Sequence, residues 1–370
     1  MWVSELSLRD FRNHTETDIS LEPGVTTFIG SNGQGKTNLV EALGYLSHLS
    51  SHRVSSDKAL VREGTPTATI RTTVRHGERQ VSLALAINAK GANRAKLGGQ
   101  SVSVGELMGW LRVVLFTPED LSIVRGEPGM RRKYLDEAVL TLNPQLHTVY
   151  SEYDRVIRQR NALLKSARGH STESVGQNLE SWNEALVPLA AHITRSRHQV
   201  LVEVLPYLSS SYTTIAPGHE IAWSLDTSVD ASLGQEDLEG AYRNQLSERA
   251  REEVDRGMTL VGPHRDDLIV TLNGLPSRTH SSHGEAWSIA LSLRLAIAQA
   301  YRVDSPSGDP VMILDDVFAE LDASRRATLQ HVVSDYEQVL VTAAVSDDIP
   351  DGFSTHSFMV HAGKVTSHGS

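Results

Sequence analysis

The stretch that decides the fold reads Gly30-Ser31-Asn32-Gly33-Gln34-Gly35-Lys36-Thr37, a match to the pattern G-x-x-x-x-G-K-[ST]. It follows an apolar segment predicted as a strand, residues 25–29, and precedes a predicted amphipathic helix, residues 37–48. Glycines here let backbone N–H groups turn inward around phosphate oxygens, and the helix N-terminus adds partial positive charge. Lys36 would reach the β- and γ-phosphates of ATP, and the Thr37 hydroxyl would ligate Mg²⁺. The flanking strand and helix favour this phosphate loop over a chance glycine turn.

Two adjacent acids, Asp315 and Asp316, end the apolar run 311–314. Such a run predicts a buried strand that delivers both carboxylates beside the phosphate loop. Asp315 is then placed to hold Mg²⁺, and Asp316 to polarise the attacking water. A capping pair of Asp residues is the alternative, but the phosphate loop elsewhere in the chain favours the metal site.

A third segment, Ser281-Ser282-His283-Gly284-Glu285, precedes a predicted helix at 284–301. A hydroxyl residue and a glycine before a helix make a second anion-binding N-terminus. Taken alone, the pattern is more typical of an ordinary helix cap. The segment lies upstream of the acidic strand, and that strand is followed directly by Ala319-Glu320-Leu321-Asp322. This order of motifs favours the interpretation that the segment is part of a nucleotide site.

The pattern of strands and helices divides the chain into three parts. Residues 1–117 and 257–370 alternate strands with helices, whereas residues 118–256 carry mainly helical periodicity. Apolar residues between 179 and 193 recur at intervals of three and four, which predicts helices packed in a bundle. The polar segment 209–234 is predicted to be irregular apart from one strand at 221–225. We therefore predict an α/β body split by an inserted, mainly helical second lobe.

Composition excludes several classes of protein. The chain has 370 residues, a formal net charge of −10 and no cysteine, which removes disulfides, cysteine zinc sites and thiol nucleophiles. No cationic segment with a long apolar run opens the chain, and no apolar run approaches the length of a membrane helix. We expect a cytoplasmic protein, and the acidic total does not exclude DNA, because a local basic face is enough to bind it.

The order of these motifs resembles the ABC-type ATPase heads of the SMC class. The finer motifs resemble the RecF family of that class: FRNH (11–14), GQGKTN (33–38), SHR (51–53), FTPEDL (116–121), RGEP (125–128), RRKYLD (131–136), RQRNALLK (158–165), GPHRDD (262–267) and LDDVFAELD (314–322). The match covers nearly the whole chain and is weakest between 169 and 255. The resemblance implies an ABC-type, SMC-head-like P-loop ATPase head.

The resemblance also implies a function. Proteins of this family bind ATP, dimerise on it, bind DNA and hydrolyse ATP slowly, and with RecR and RecO they help to load RecA at single-strand gaps. Each nucleotide would lie between the phosphate loop of one copy and the Ser282-x-Gly284 signature of the other. Asp322 would lie at the dimer interface, and Glu119 would face Mg²⁺.

The implied nucleotide-binding set includes a turn after the first strand. It comprises Gly30, Ser31, Asn32, Gly33, Gln34, Gly35, Lys36, Thr37, Asn38, Arg12, Asn13, Ser282, Gly284 and Asp322. The implied metal ligands are Thr37, Asp315 and Glu119, and the implied catalytic residues are Lys36 and Asp316.

The chain departs from the family's signature at one point and from transporter ATPase heads at two. Glu285 stands where the signature usually carries glutamine, so that its charge would weaken ATP-bound dimerisation unless the side chain points away. Transporter heads carry a histidine after the last core strand and a glutamate where this chain has Asp316, whereas the strand here reads Leu340-Val341-Thr342-Ala343-Ala344 without a histidine. Together with the short side chain of Asp316, this predicts slow hydrolysis.

Basic residues in two clusters and beyond the phosphate loop are candidates for DNA contacts. They are Arg53, Arg125, Arg131, Arg132, Lys133, Arg158, Arg160 and Lys165. Arg and Lys of this kind contact phosphates, although a solvated helix face with local ion pairs is the alternative. No basic and aromatic platform for stacked bases is evident, which favours the duplex backbone as the ligand.

Other functions remain open at this point. The head of another SMC-like DNA machine would need a far longer coiled coil than 118–256 provides, and a transporter ATPase subunit would lack the helical lobe. A nucleotide kinase would have no role for Ser282-x-Gly284. A DNA clamp without ATPase activity would bind DNA independently of Lys36.

Overall fold

A computed structural model of the chain describes residues 1–54, 56–167, 172–304 and 308–368. The chain divides into two compact units. Unit 1 comprises Met1–Leu121, Tyr207–Gly218 and Trp287–Ser370, and unit 2 comprises Ser122–Pro206 and His219–Ala286. No helix within the described ranges is both long enough and apolar enough to cross a bilayer.

The strands lie in three sheets. In chain order they are β1 (Trp2–Phe11), β2 (His14–Ser20), β3 (Gly24–Ile29), β4 (Thr67–His76), β5 (Arg79–Asn88), β6 (Arg94–Leu97), β7 (Gln100–Val102), β8 (Val113–Phe116), β9 (Ile221–Asp226), β10 (Asp267–Leu272), β11 (Leu275–Pro276), β12 (Val311–Asp315), β13 (Gln338–Ala343), β14 (His356–His361) and β15 (Lys364–His368).

The helices begin with the one that follows the phosphate loop. They are α1 (Lys36–His48), α2 (Leu121–Arg125), α3 (Pro128–Leu142), α4 (His147–Ser166), α5 (Thr172–Ile215), α6 (Gln235–Arg256), α7 (Ser277–His280), α8 (His283–Asp304) and α9 (Ala323–Val333). The predicted strand at 311–314 and the predicted helices at 37–48 and 284–301 are confirmed to within a few residues.

A mostly parallel sheet of unit 1 positions the predicted site. Its order is β15-β14-β3-β13-β12-β8. Strands β14, β3, β13, β12 and β8 run parallel to one another, and β15 is antiparallel to β14. Every residue of β12 is buried, which explains why this strand reads as a continuous apolar run. Because the carboxyl ends of parallel strands share one edge, Asp315 lies opposite Thr342 at the edge where β3 leads into the phosphate loop.

The second sheet of unit 1 is antiparallel. Its order is β2-β1-β4-β5-β6-β7, and buried and exposed residues alternate along its long strands. One face therefore packs on the interior and the other faces water. The buried face includes Leu6, Leu8, Ile70, Leu83 and Leu85, each less than 2% exposed.

The core of unit 1 lies between the parallel sheet and helix α8. Leu291 and Leu295 pack into one cluster with Phe116, Met312 and Leu314. Full burial of one such side chain contributes about 1.5–3 kcal/mol. This apolar contact holds β12, and with it Asp315, in place.

Unit 2 is built on α4, α5 and α6, which share a core of Val156, Leu186, Val187, Leu238 and Tyr242. The apolar residues that recur at intervals of three and four between 179 and 193 all lie within the single helix α5. The prediction that 209–215 is irregular is wrong, because Leu208, Tyr212 and Ile215 recur at helical spacing and are buried. The strand predicted at 221–225 is confirmed as β9.

Unit 2 also contains a small sheet of β11, β10 and β9. Strand β10 pairs with β9 from Asp267 opposite Asp226 to Leu272 opposite Ile221. This pairing places β10 in unit 2, whereas the sequence-based division assigned everything from 257 onward to the C-terminal part of the head. The division at 117 and 256 stays a prediction about folding domains.

Candidate nucleotide site

The phosphate loop adopts a backbone that only glycine accommodates at two positions. Gly35 caps helix α1 with φ 116°, and a Cβ there would lie 2.7 Å from Asn13 Oδ1. A Cβ on Gly30 would lie 2.2 Å from the Val360 carbonyl oxygen. The loop is thus packed closely from behind, and its exposed residues, 31–33, face away from these contacts.

A turn between β14 and β15 also holds the loop. The Gly363 N–H donates to the Gln34 carbonyl at 2.9 Å, and the Ala362 N–H donates to Gln34 Oε1 at 2.7 Å. These contacts lie more than 300 residues apart in sequence. Sequence reasoning missed this turn because no local pattern marks a long-range partner.

The turn after β1 brings Asn13 and Arg12 to the loop and to helix α1. The Asn13 side chain donates to the Gln34 carbonyl at 3.0 Å and accepts from Asn38 Nδ2 at 2.7 Å. Arg12 forms a two-pronged ion pair with the fully buried Glu41, at 2.7 and 2.9 Å. The structure thus places the predicted pair beside the loop, with the Arg12 guanidinium engaged by the protein.

Glu41 is a further residue that sequence reasoning missed. It accepts from Ser51 Oγ at 2.6 Å and from Arg53 Nη1 at 3.4 Å, in addition to its bonds with Arg12. Burial opposes its ionisation, but the hydrogen bonds from Arg12 and Ser51 and the arginine charges outweigh burial and lower the Glu41 pKa. The signal in the sequence that could have identified Glu41 was an acidic residue among the apolar residues of a predicted amphipathic helix.

The predicted catalytic and metal-binding side chains meet at the sheet edge. Thr37 Oγ1 donates to Asp315 Oδ1 at 3.0 Å, and the buried Lys36 Nζ lies 4.0 Å from Asp316 Oδ1. Thr342 Oγ1 donates to Asp315 Oδ1 at 2.5 Å and accepts from the Asp316 N–H at 2.9 Å. These bonds hold Asp316 at φ 53°, a backbone conformation uncommon for residues other than glycine.

The electrostatics of this edge suit a cation. Burial chiefly raises the pKa of Asp315 to about 6, and the Asp316 and Glu119 charges add to the shift against the hydrogen bonds from Thr342 and Thr37. Two acidic side chains thus interact with one buried carboxylate. A bound positive charge at this point would favour the ionised form of Asp315.

The start of helix α8 is closed by a reciprocal pair of hydrogen bonds. The Ser282 N–H donates to Glu285 Oε2 at 2.7 Å, and the Glu285 N–H donates to Ser282 Oγ at 3.3 Å. This is a capping box, so the Glu285 carboxylate turns back onto the helix N-terminus and does not point away. Arg125 Nη2 donates to the Ser281 carbonyl beside it at 2.9 Å. These residues belong to unit 2, whereas the phosphate loop belongs to unit 1.

Asp322 caps a second helix. Its side chain accepts from the Arg325 N–H at 2.9 Å at the start of α9, and Arg325 also forms an ion pair with it. The Arg325 backbone hydrogen bond is the largest cause that lowers the Asp322 pKa. The Asp322 side chain remains 54% exposed, so it is open to further contacts.

Two of the predicted DNA-contacting residues need correction. Arg160 is fully buried, where it pairs with Glu253 at 2.5 Å and donates to Thr259 Oγ1 at 2.8 Å. Arg131 is 4% exposed and forms a two-pronged ion pair with Asp267, both bonds at 2.7 Å. Because both guanidinium groups are used inside the fold, we remove them from the predicted set.

The remaining candidates differ in exposure. Arg158 and Lys165 are exposed on α4, while Lys133 is half-buried on α3. Arg132, also on α3, donates to the Asp266 carbonyl at 2.7 Å. Arg53 donates to Asn38 Oδ1 at 2.8 Å and so lies at the phosphate-loop helix. Their contacts with DNA stay predictions.

Comparison with known proteins identifies relatives of the chain. Residues 2–362 match the family described as "RecF/RecN/SMC N terminal domain". The chain is 43% identical to "DNA replication and repair protein RecF" of Clavibacter sepedonicus, over 99% of this chain and 95% of that protein. It is also 43% identical to the protein of the same name from Leifsonia xyli subsp. xyli, over 99% of both chains.

Solved structures show the same relationship. One described as "Structure of the recombination mediator protein RecF-ATPrS in RecFOR pathway" superimposes with a TM-score of 0.88 at 27% identity, covering 100% of this chain and 98% of the other. An Smc head bound to a domain of ScpA superimposes with a TM-score of 0.57 at 15% identity, covering 100% and 98%, which shows a shared fold alone. With an α/β, ABC-type head fold and full-length relatives at this level of identity, the chain belongs to the RecF family.

Proposed function

We propose that this chain is an ATP-driven, DNA-binding protein of recombinational repair and replication-fork maintenance. ATP drives it to dimerise. The dimer binds DNA near single-strand gaps and, with RecR and RecO, promotes the loading of RecA. The names of its relatives and the ATP-bound structures of the RecFOR pathway support this proposal. The observation that carries it is the convergence of Lys36, Thr37, Asp315 and Asp316 at the phosphate loop.

Mg²⁺ would be held together with the nucleotide. Thr37 and Asp315 already lie within hydrogen-bond distance, and Glu119 interacts electrostatically with Asp315, so the oxygen ligands that Mg²⁺ prefers are at hand. Within the described ranges no group of three His, Asp or Glu side chains forms a preformed metal centre. This fits a cation that takes one or two carboxylates and completes its shell with phosphates and water.

The second copy would complete the site. In this proposal the partner's signature, Ser282 and Gly284, contacts the γ-phosphate that Lys36 binds, and Asp322 lies at the dimer interface. DNA binding by the dimer is then coupled to ATP, because the dimer forms only around the nucleotide. Hydrolysis of ATP then dissociates the dimer.

Slow hydrolysis follows from the residues around the attacking water. Asp316 is one methylene shorter than glutamate and lies 4.0 Å from Lys36, which draws the proposed base toward a cation. The end of β13 carries no histidine, since Thr342 is followed directly by two alanines. We expect turnover at the low end of the range for ATPases, with stimulation by DNA.

Sedimentation of the protein with ATP, Mg²⁺ and duplex DNA tests the proposal. The wild type should shift to a dimer only with ATP, and Ser282→Arg should remain a monomer because the added bulk and charge fill the signature. Ser232→Arg, an exposed serine of unit 2 outside every predicted site, is the matched control and should dimerise as the wild type does. A Ser282→Arg variant that dimerises normally would contradict the two-copy site.

A further inference from the structure

The water-facing side of the antiparallel sheet in unit 1 forms a trough that no predicted site includes. The trough has a volume of about 1020 Å³ and is lined by residues of β1, β2 and β4 to β7. Small side chains form much of its floor, among them Ser7, Ser82, Ala84 and Ala86. Because these side chains are short, a wide and rigid ligand can approach the sheet closely.

Three basic side chains line the trough beside these small residues. Arg71 and Lys96 both pair with Ala84, one from each neighbouring strand, so they lie about 10 Å apart across the sheet. Arg94 lies two residues from Lys96 on the same strand, about 7 Å away. All three are exposed, and no described residue forms a hydrogen bond or ion pair with any of them.

A fourth cation of the trough is held by acids. Arg9 forms ion pairs with Asp18 at 2.7 Å and with Glu16 at 3.1 Å. The charged residues that line the trough are Arg9, Arg71, Arg94 and Lys96 against Glu5 and Asp18, which is four positive charges minus two negative charges, or +2. A locally positive face on a chain with a net charge of −10 favours a polyanionic ligand.

The lining of the trough decides which polyanion fits. It contains no aromatic residue, so it offers no platform on which unpaired bases would stack. None of the large exposed hydrophobic side chains of the described residues lies in it, so it lacks the apolar anchors typical of a protein interface. Unpaired Arg and Lys side chains flanked by serine and threonine hydroxyls are the donors that contact DNA phosphates.

We propose that this trough binds the phosphodiester backbone of duplex DNA through Arg71, Arg94 and Lys96. The inference rests on the proposed function, since it assigns a surface to the DNA that the dimer binds. It adds a site on unit 1 to the candidates on α3 and α4. Contacts to phosphates alone imply binding with little sequence preference.

Salt dependence of duplex binding tests this site. Each phosphate contact contributes about 0.9 to the slope of log K against log salt concentration, so changing all three residues to alanine should make the slope shallower by about 2.7. Fluorescence anisotropy of a labelled duplex with ATP and Mg²⁺, between 50 and 200 mM salt (about the range over which such contacts are lost), measures it. The matched control changes Arg243, Arg249 and Arg256 of α6 to alanine, an equal loss of charge on exposed arginines of unit 2.

The outcomes separate this site from the proposed function. A shallower slope in the trough variant, with an unchanged slope in the α6 variant and unchanged ATP binding in both, supports the trough. Equal slopes in the trough variant and the wild type overturn the trough as a DNA site while leaving the proposed function in place. An equally shallower slope in the trough variant and the α6 variant also overturns it, because the loss of net charge then explains the effect. A wild type that binds no duplex at any of these concentrations contradicts the proposed function as well.

A second variant tests the site through a gain of binding. Asp18→Asn combined with Glu16→Gln removes both acids that pair with Arg9 at the edge of the trough and leaves exposed, uncharged side chains in their place. The freed Arg9 should add about one phosphate contact and steepen the slope by about 0.9. Unchanged or weaker duplex binding by this double variant would overturn the site even if the triple variant folded poorly.

Discussion

The Glu285 carboxylate accepts a hydrogen bond from the backbone N–H of Ser282 at the start of α8. In the proposed dimer, the γ-phosphate of the nucleotide bound by the partner would approach this same helix N-terminus. A glutamine keeps the capping box, because an amide oxygen also accepts from the N-cap N–H, but it removes the negative charge. We therefore expect Glu285→Gln to dimerise at lower ATP concentration. Relief of one like-charge contact of about 1 kcal/mol corresponds to roughly a fivefold shift. Titration of the dimer with ATP by sedimentation measures the midpoint.

Glu236→Gln is the matched control, because Glu236 lies in the first turn of α6, away from the signature. Its midpoint should equal that of the wild type. If Glu285→Gln needs as much ATP as the wild type, or more, the carboxylate does not oppose nucleotide at this helix end.

Single residues were predictable where a local motif demands them. Lys36, Thr37 and Asp315 follow from the phosphate loop and from an acid at the end of an apolar strand, and they meet as expected. Arg160 could not be assigned, because buried and exposed arginines of a helix look alike until its partners are known. Glu253, which neutralises Arg160, comes from a different helix 93 residues further along the chain.

Helix α4 shows what this buried pair does for an element. Arg160 joins α4 to Glu253 of α6 and, through Asn183, to α5, without access to water. Because removal of one partner leaves an uncompensated buried charge, Arg160→Ala should lower the stability of unit 2 by about 3–5 kcal/mol. Hydrogen exchange of the α4 amides in the full chain measures this local opening free energy.

Arg158→Ala is the control on the same helix, since Arg158 is exposed. It should change the opening free energy by less than about 0.5 kcal/mol. Equal effects of the two substitutions would contradict a structural role specific to Arg160.

Elements were predictable where apolar periodicity is strong. The parallel strands and α8 lie where the patterns place them, but α5 extends to Ile215 through a segment rich in serine and threonine. Its buried Ser211 contacts Gln299 of α8 at 3.3 Å, and the adjacent Tyr212 is fully buried. Tertiary burial thus overrides the polar composition of the segment, which sequence alone does not report.

At the scale of the whole molecule, the order of the motifs was enough to predict an ABC-type head. The phosphate loop and the Asp315–Asp316 pair each follow a strand whose carboxyl end lies at one edge of the parallel sheet, so chain order brings these two motifs together. The extent of the units was not predictable in the same way. Pairing of β9 with β10 joins segments separated by the whole of α6, and no local signal announces it.

In the proposed dimer, one nucleotide is bound between Lys36 of one copy and Ser282 of the other. The chain contains no cysteine, so a single cysteine introduced beside each group is the only thiol that a cross-linker can modify. Asn32→Cys marks the phosphate loop and His283→Cys marks the signature, both at exposed positions. Chains carrying one cysteine each and differing in a size tag are mixed, so that only contacts between copies join them.

Cross-linking of this mixture by a short bismaleimide is the direct measurement. The proposed two-copy site predicts a product that joins the Asn32→Cys chain to the His283→Cys chain with ATP and Mg²⁺. No product should form without nucleotide or when Ser232→Cys replaces His283→Cys. A yield that is the same with and without ATP, or the absence of the mixed product under every condition, would contradict it.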